Sequence, residues 1–177
     1  FTLFDYLDRW HPSVDTRHNA WLQGQFPWTR LPKPTCLQAV PRYYRRYGLE
    51  RSLLRDLLQQ SDPFDVCLVQ TGMTYWYPGV QEVIEDIRQF QPTAKIVLGG
   101  NYATICPDHA ATLGADLVVP GLDLEPVWDL VGLTPDDGQP ALWEAYPKLE
   151  VGTIKITEGC PFQCTYCAVQ KVYGRFR

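Results

Sequence analysis

Between residues 66 and 131 short apolar runs take turns with helical periodicity, and that alternation constrains the fold more than any other feature of the chain. Val66-Cys67-Leu68-Val69-Gln70 has the length and character of a buried strand. Val80, Val83, Ile84, Ile87 and Phe90 follow at spacings of three and four, which lines one face of a helix. Lys95-Ile96-Val97-Leu98 is the next strand, stopped by Gly99-Gly100. A short helix opens at Pro107, a favoured first helical position, and stops at Gly114. Leu117-Val118-Val119 makes a third strand, ended by Pro120-Gly121, and Asp123 is placed to cap a helix running through Val131. Strand and helix in turn predict an α/β fold: a parallel sheet with helices on both faces.

In such sheets ligands bind beyond the carboxyl ends of the strands. Those ends carry Thr71, Gly72, Met73, Thr74, Tyr75 and Trp76, then Gly99, Gly100, Asn101, Tyr102, Ala103 and Thr104, then Pro120 and Gly121. Glycine lets a ligand approach the backbone closely. Turn chemistry alone would also place glycine there; the flanking Thr, Tyr, Trp and Asn residues favour a ligand site.

Around this core the chain is less regular. Phe1, Phe4, Tyr6 and Leu7 are expected to begin a short helix, and His11 to Thr35 reads as loop because Pro12, Pro27, Pro32 and Pro34 interrupt it. Trp10, Trp21 and Trp28 are expected to pack this loop onto a core. Leu49, Leu53, Leu54, Leu57 and Leu58 predict an amphipathic helix over 49–60. Arg42, Arg45, Arg46, Arg51 and Arg55 form a basic patch, read as a solvated helix face with a phosphate or partner contact left open. Residues 133–150 read as a linker, and Thr153-Ile154-Lys155-Ile156-Thr157 as a strand running into Glu158-Gly159-Cys160. The expected organisation is an aromatic, proline-rich segment at 1–47, the α/β domain at 48–132, the linker, and a further domain from 151.

Three of the six cysteines fall within eight residues, at 160, 164 and 167. Zinc knuckles pair two Cys-x2-Cys units or add histidines, and neither is nearby. Thiolates suit iron–sulfur clusters, and a [4Fe–4S] cluster normally takes four. Three thiolates therefore leave one iron open to a substrate or cofactor. Gly159 and Pro161 keep the segment a loop able to wrap around one cluster. Cys36, Cys67 and Cys106 read as small apolar residues, with Cys106 beside a candidate ligand loop. Cysteine usage of this kind suits a reducing, cytoplasmic compartment rather than a disulfide framework.

The run Cys160-Pro161-Phe162-Gln163-Cys164-Thr165-Tyr166-Cys167 resembles the signature of the radical S-adenosylmethionine (SAM) superfamily, including the aromatic before the last cysteine. The strand before it and Glu158-Gly159 are similar to the first strand and loop of that family's barrel. The α/β region resembles the Rossmann-like (flavodoxin-like) cobalamin-binding domain that precedes the barrel in one branch. Residues 73–80 and 99–104 are similar to that branch's ligand loops. The resemblance covers about residues 48–177.

It implies that Cys160, Cys164 and Cys167 hold a [4Fe–4S] cluster whose open iron is chelated by SAM, with Tyr166 near the adenine. One electron then cleaves SAM to methionine and a 5′-deoxyadenosyl radical, which abstracts hydrogen from a substrate. A flavodoxin or ferredoxin is the implied reductant, and cobalamin at the three strand ends would make the enzyme a methyltransferase. The three histidines do not match the Asp-x-His-x-x-Gly pattern of corrinoid proteins that supply an axial ligand: Asp8 and His11, Asp15 and His18, and Asp108 and His109 have other spacings. They are expected on the surface or as caps. Two alternatives stand: a radical SAM enzyme whose α/β domain has lost cobalamin, and a non-catalytic corrinoid-binding or interaction module.

A complete barrel needs about 200 residues, and 27 follow position 150. A barrel truncated after its first strand and cluster loop is expected, in a fragment inactive by itself and with no assignable catalytic residue. The net charge of −4 argues against a nucleic-acid scaffold as a whole, and no apolar run approaches the ~18 residues of a membrane span. The substrate stays open.

Overall fold

The computed structural model describes residues 28–136, Gly138 and residues 154–177. The expectations for Trp10, Trp21 and the first helix, and for most of the linker, lie outside the described residues. The chain divides into two compact units, Phe1–Gln60 and Ser61–Arg177.

In the first unit, β1 (Trp28–Arg30) pairs antiparallel with β2 (Arg45–Tyr47), with Trp28 opposite Tyr47 and Arg30 opposite Arg45. The bond from Leu31 N–H to the Tyr44 carbonyl (2.9 Å) continues the ladder. β1 therefore corrects the reading of residues 11–35 as loop throughout. A three-residue strand between Pro27 and Pro32 carries no periodicity of its own and exists through its partner. Helix α1 (Arg51–Gln60) forms as expected, with Leu58 buried. The basic patch is not one helix face: Arg45 and Arg46 lie on β2, and Arg51 and Arg55 on α1.

The second unit follows the predicted alternation. Its elements are β3 (Val66–Thr71), a 3-10 turn (Thr74–Trp76), α2 (Tyr77–Phe90), β4 (Lys95–Gly100), α3 (Asn101–Ile105), α4 (Pro107–Ala111), β5 (Leu117–Val118), α5 (Glu125–Val131) and α6 (Val169–Tyr173). The three strands form a parallel sheet in the order β3-β4-β5, consistent with a Rossmann-like fold. β4 is the central strand. Ile96 and Leu98 point to one face and Val97 to the other, and all three are buried, as a strand covered on both faces requires. Val97 packs with Val119 and Val127 of α5.

Two details differ from expectation. β4 runs through Gly99 and Gly100 instead of stopping before them, because both glycines pair with β3, Gly99 with Gln70 and Gly100 with Thr71. Asp123 does accept a bond from Glu125 N–H (3.0 Å), but the residue flanking the helix is Leu124.

Asp116 fixes the start of β5. Its carboxylate accepts the Ile96 N–H (2.7 Å) and pairs with Arg88 (2.9 Å), while its own N–H donates to the Ile96 carbonyl. The Ile96 N–H, seconded by Arg88, holds the carboxyl below the usual aspartate range. A depressed folded-state value stabilises the fold above the unfolded pKa of about 3.9 and loses that contribution as pH falls through the folded value. Asp116→Asn should therefore remove part of the stability lost between about pH 5 and pH 3. Urea midpoints at the two pH values check this; an unchanged pH dependence would count against it.

Ile154, Lys155, Ile156 and Thr157, the described part of the strand expected over 153–157, belong to no strand. Their alternation is right, yet strands form only as hydrogen-bonded pairs. Among the described residues no strand lies alongside, and Ile154 and Ile156 are 73% and 86% exposed. A barrel's first strand is accordingly not formed here. No helix among the described residues is long and apolar enough to cross a membrane.

Candidate functional site: a clasped cysteine loop beside the strand ends

The cysteine loop is closed at its base. Glu158 and Arg177 exchange backbone bonds in both directions (2.8 and 3.0 Å). The Glu158 carboxylate also takes Lys155 Nζ at 2.7 Å and two nitrogens of Arg177 at 2.6 and 2.9 Å. Lys155 first, and then Arg177, hold the Glu158 carboxyl below its ordinary range. Gly159 makes this closure possible. Its φ is +82°, and a Cβ there would lie 3.2 Å from Phe176 Cα, so only glycine fits without displacing backbone.

Inside the loop, Cys167 N–H bonds the Cys164 carbonyl (3.1 Å) across a tight turn. Gln170, in the first turn of α6, donates through Nε2 to the carbonyls of Cys160 (2.7 Å) and Phe162 (3.1 Å). All six cysteines are free thiols; Cys160 is half-buried, and Cys164 and Cys167 are exposed. Tyr166 is 90% exposed and Phe162 72%. Among the described residues no three His, Cys, Asp or Glu side chains converge on one metal position.

The loop is fastened to the sheet's helices by α6. This helix packs against α3, Val172 is buried, and Lys171 Nζ donates to the Ile105 carbonyl (2.8 Å) at the last turn of α3. A cation at a helix carboxyl end satisfies an unpaired carbonyl and meets the negative end of the helix dipole. The cysteine segment is thus held beside the element that follows β4.

The predicted ligand loops divide into surface and support. Met73, Tyr75 and Trp76 are exposed, with Tyr75 and Trp76 edge to face at 6.1 Å. Gly72 and Pro120 are also exposed, and Thr74, Gly99, Gly100, Asn101 and Gly121 are half-buried. Thr71, Tyr102, Ala103 and Thr104 are buried. The last three belong to α3, a helix where the sequence predicts a ligand loop. They shape the site from beneath rather than line it. Gly100 also has a plain backbone reason for being glycine, with φ +90°.

Pro107 ends α3, since proline lacks the N–H that would continue the helix and disfavours helical geometry in the residue before it. Cys106 accordingly leaves the helical region, and its carbonyl accepts the Ala110 N–H that starts α4. The Tyr102 hydroxyl, buried between these helices, is satisfied by His109 Nδ1. Burial raises the Tyr102 phenol above its usual value, and Cys106 and Tyr77 add to this. His109 is exposed, as expected, and stacks edge-on against Tyr77 at 4.9 Å.

Thr104 joins two of the strand-end loops. Its hydroxyl donates to the Gly100 carbonyl (3.0 Å) and accepts the Gly121 N–H (2.8 Å). Thr104→Val keeps the shape and removes both bonds, so it should cost about 1–3 kcal/mol. Urea unfolding measures the loss; a stability unchanged within error would contradict the bridge.

Sequence reasoning missed Gln170, Lys171 and the Glu158–Arg177 clasp. Only their nearness to the cysteines could have flagged them, because each acts on a residue that periodicity does not connect to it.

No family model matches the chain, and no solved structure matches it. The chain is 32% identical over 107 residues to the threonylcarbamoyladenosine tRNA methylthiotransferase MtaB of Thermotoga maritima, covering 54% of this chain and 24% of that protein. It is 26% identical over 113 residues to an uncharacterised methyltransferase of Synechocystis, covering 53% of this chain and 21% of that protein. The matched part thus spans under a quarter of each relative, and both are named as group-transfer enzymes.

Proposed function

We propose that Cys160, Cys164 and Cys167 bind a [4Fe–4S] cluster and that the chain is part of a radical SAM enzyme. The observation that carries this is three free thiols at Cys-x3-Cys-x2-Cys spacing on one clasped loop. The donor set fits: thiolates are the ligands such clusters take, and three leave an iron position for SAM. When bound, the cluster supplies the electron that cleaves SAM. The chain's own residues hold and orient. Gln170 fixes the carbonyls of Cys160 and Phe162, the Glu158–Arg177 clasp closes the loop, and Lys171 moors it to α3. Tyr166 is the residue for the adenine. A flavodoxin or ferredoxin provides the electron in a reducing cytoplasm. Similarity to a methylthiotransferase and a methyltransferase supports transfer of a methyl or methylthio group as the overall reaction.

The narrower reading is that the α/β unit binds cobalamin at its strand ends, supported by the exposed apolar side chains there. Met73, Tyr75 and Trp76 supply apolar contact, and Gly121, with open space where a Cβ would be, admits close approach. No histidine stands in the Asp-x-His-x-x-Gly spacing, so cobalamin would be held here without a histidine from that motif.

Anaerobic reconstitution with iron and sulfide tests the cluster. About four irons per chain with broad visible absorbance are expected; stoichiometric zinc and no cluster would overturn it. Hydroxocobalamin carried through gel filtration with shifted absorbance supports the narrower reading. No retention would leave an α/β unit that shapes the substrate site without cobalamin.

A further inference from the structure

The chain-wide charge of −4 hides a local reversal. Residues 28–60 hold seven lysines and arginines against only Glu50 and Asp56. Part of this surplus sits on the β1–β2 ribbon, on one face. Successive residues of a strand alternate between faces, so Trp28 and Arg30 share a face of β1, and Arg45 and Tyr47 share a face of β2. The register sets Trp28 opposite Tyr47 and Arg30 opposite Arg45, so these four side chains are on the same face. The rings and guanidinium groups interleave. Arg45 lies over Trp28 at 3.9 Å and 5.4 Å from the Tyr43 ring, and Arg30 lies over Tyr43 at 4.1 Å.

The cation–π contacts stabilise the cluster, but the two facing guanidinium groups still repel one another and leave their charge for an anion. Like charges directly opposite on paired strands are destabilising. Among the described residues no carboxylate pairs with Arg30, Arg42 or Arg45, and Arg45 Nε is buried without a hydrogen-bond partner. Large aromatics are left in solvent as well: Trp28 is 50% exposed, Tyr43 61% and Tyr47 62%. Two opposed guanidinium groups call for an anion with more than one charge. Exposed rings and stacked guanidinium planes beside them call for flat, unpaired bases. A simple anion would leave the rings unused, and an acidic peptide or a membrane headgroup layer would have no bases to stack.

We propose that the β1–β2 ribbon binds single-stranded nucleic acid, with Arg30 and Arg45 on successive phosphates and Trp28, Tyr43 and Tyr47 against bases. A ribbon of three-residue strands, about 10 Å long, is too short to read a duplex groove and long enough to engage a few nucleotides. The proposal does not depend on the cluster, and its failure would leave the cysteine site untouched.

The test is fluorescence anisotropy of the whole protein with a labelled oligouridylate of about twelve nucleotides, across a salt series. Binding is expected to weaken with salt. Because each single-strand phosphate contact contributes about 0.7 to the log–log slope, Arg30→Ala/Arg45→Ala should lower that slope by about 1.4. The double variant should bind about tenfold more weakly or worse. Arg30→Lys/Arg45→Lys keeps the charge and loses the planar stack, so it should keep the slope and still lose affinity. A readout that needs no variant guards against misfolding. Bound oligouridylate should protect Arg30 and Arg45 of the unaltered protein from phenylglyoxal, as read by mass spectrometry. No binding at about 50 mM salt, equal binding by the alanine variant, or no protection would each overturn the proposal. So would competition by polyglutamate or phosphatidylserine vesicles as strong as that of unlabelled oligouridylate.

Discussion

Replacing Cys160, Cys164 and Cys167 together with alanine should reduce reconstituted iron from about four per chain to background and leave the α/β unit folded. Cys164 and Cys167 are exposed and Cys160 is half-buried, so the substitutions remove little packing. Surface changes of this kind usually stay within about 0.5 kcal/mol. Cys36, Cys67 and Cys106 are the controls. Burial pushes the Cys67 thiol up, which makes it a poor source of thiolate, and alanine at any of the three should leave the iron count unchanged. Iron analysis together with thermal unfolding checks both halves. Iron retained in the triple variant would end the assignment. A lost unfolding transition would mean that the cysteine loop and the sheet are a single cooperative unit.

Gly100→Ala should cost about 3 kcal/mol or more, a large share of the 5–15 kcal/mol that holds a domain together. Two terms add. A φ of +90° strains any residue with a Cβ, at about 1–2 kcal/mol. The new Cβ would also stand 2.5 Å from the Thr71 carbonyl oxygen and 2.9 Å from the Thr71 nitrogen. Those are backbone atoms in register with Gly100, and they cannot move without parting β3 from β4. Gly121→Ala separates the terms: φ there is +83° and nothing lies within 4 Å, so only the strain of about 1–2 kcal/mol remains. Denaturant midpoints should fall further for Gly100→Ala than for Gly121→Ala. Equal losses would show that the contact with Thr71 carries no weight.

The elements legible in the sequence were those whose reasons are local. The apolar run at β3, the helical spacing of α1 and α2, and the proline opening α4 each announce themselves within a few residues. Those missed depend on distant partners. α3 is barely more than one turn, and it is a helix because Tyr102 and Ala103 fill the core. β1 needs β2, some fifteen residues on, and the alternation at 153–157 promised a strand that none of the described residues completes. The candidate site divides in the same way. Cys160, Cys164 and Cys167 are readable because their spacing is the signal. The residues that hold their loop are not: Lys171 reaches Ile105 and Arg177 reaches Glu158. Gly100 shows the reverse risk. A glycine at a strand end invited a ligand reading, and the backbone of Thr71 explains it without one.

The most direct measurement of the central claim is electron paramagnetic resonance of the anaerobically reconstituted and reduced protein, with and without SAM. The expected result is the signal of a reduced [4Fe–4S] cluster that changes when SAM is added, because three thiolates leave one iron for it. Reconstituted protein with no cluster signal, or a signal indifferent to SAM, would contradict an open iron site at Cys160, Cys164 and Cys167.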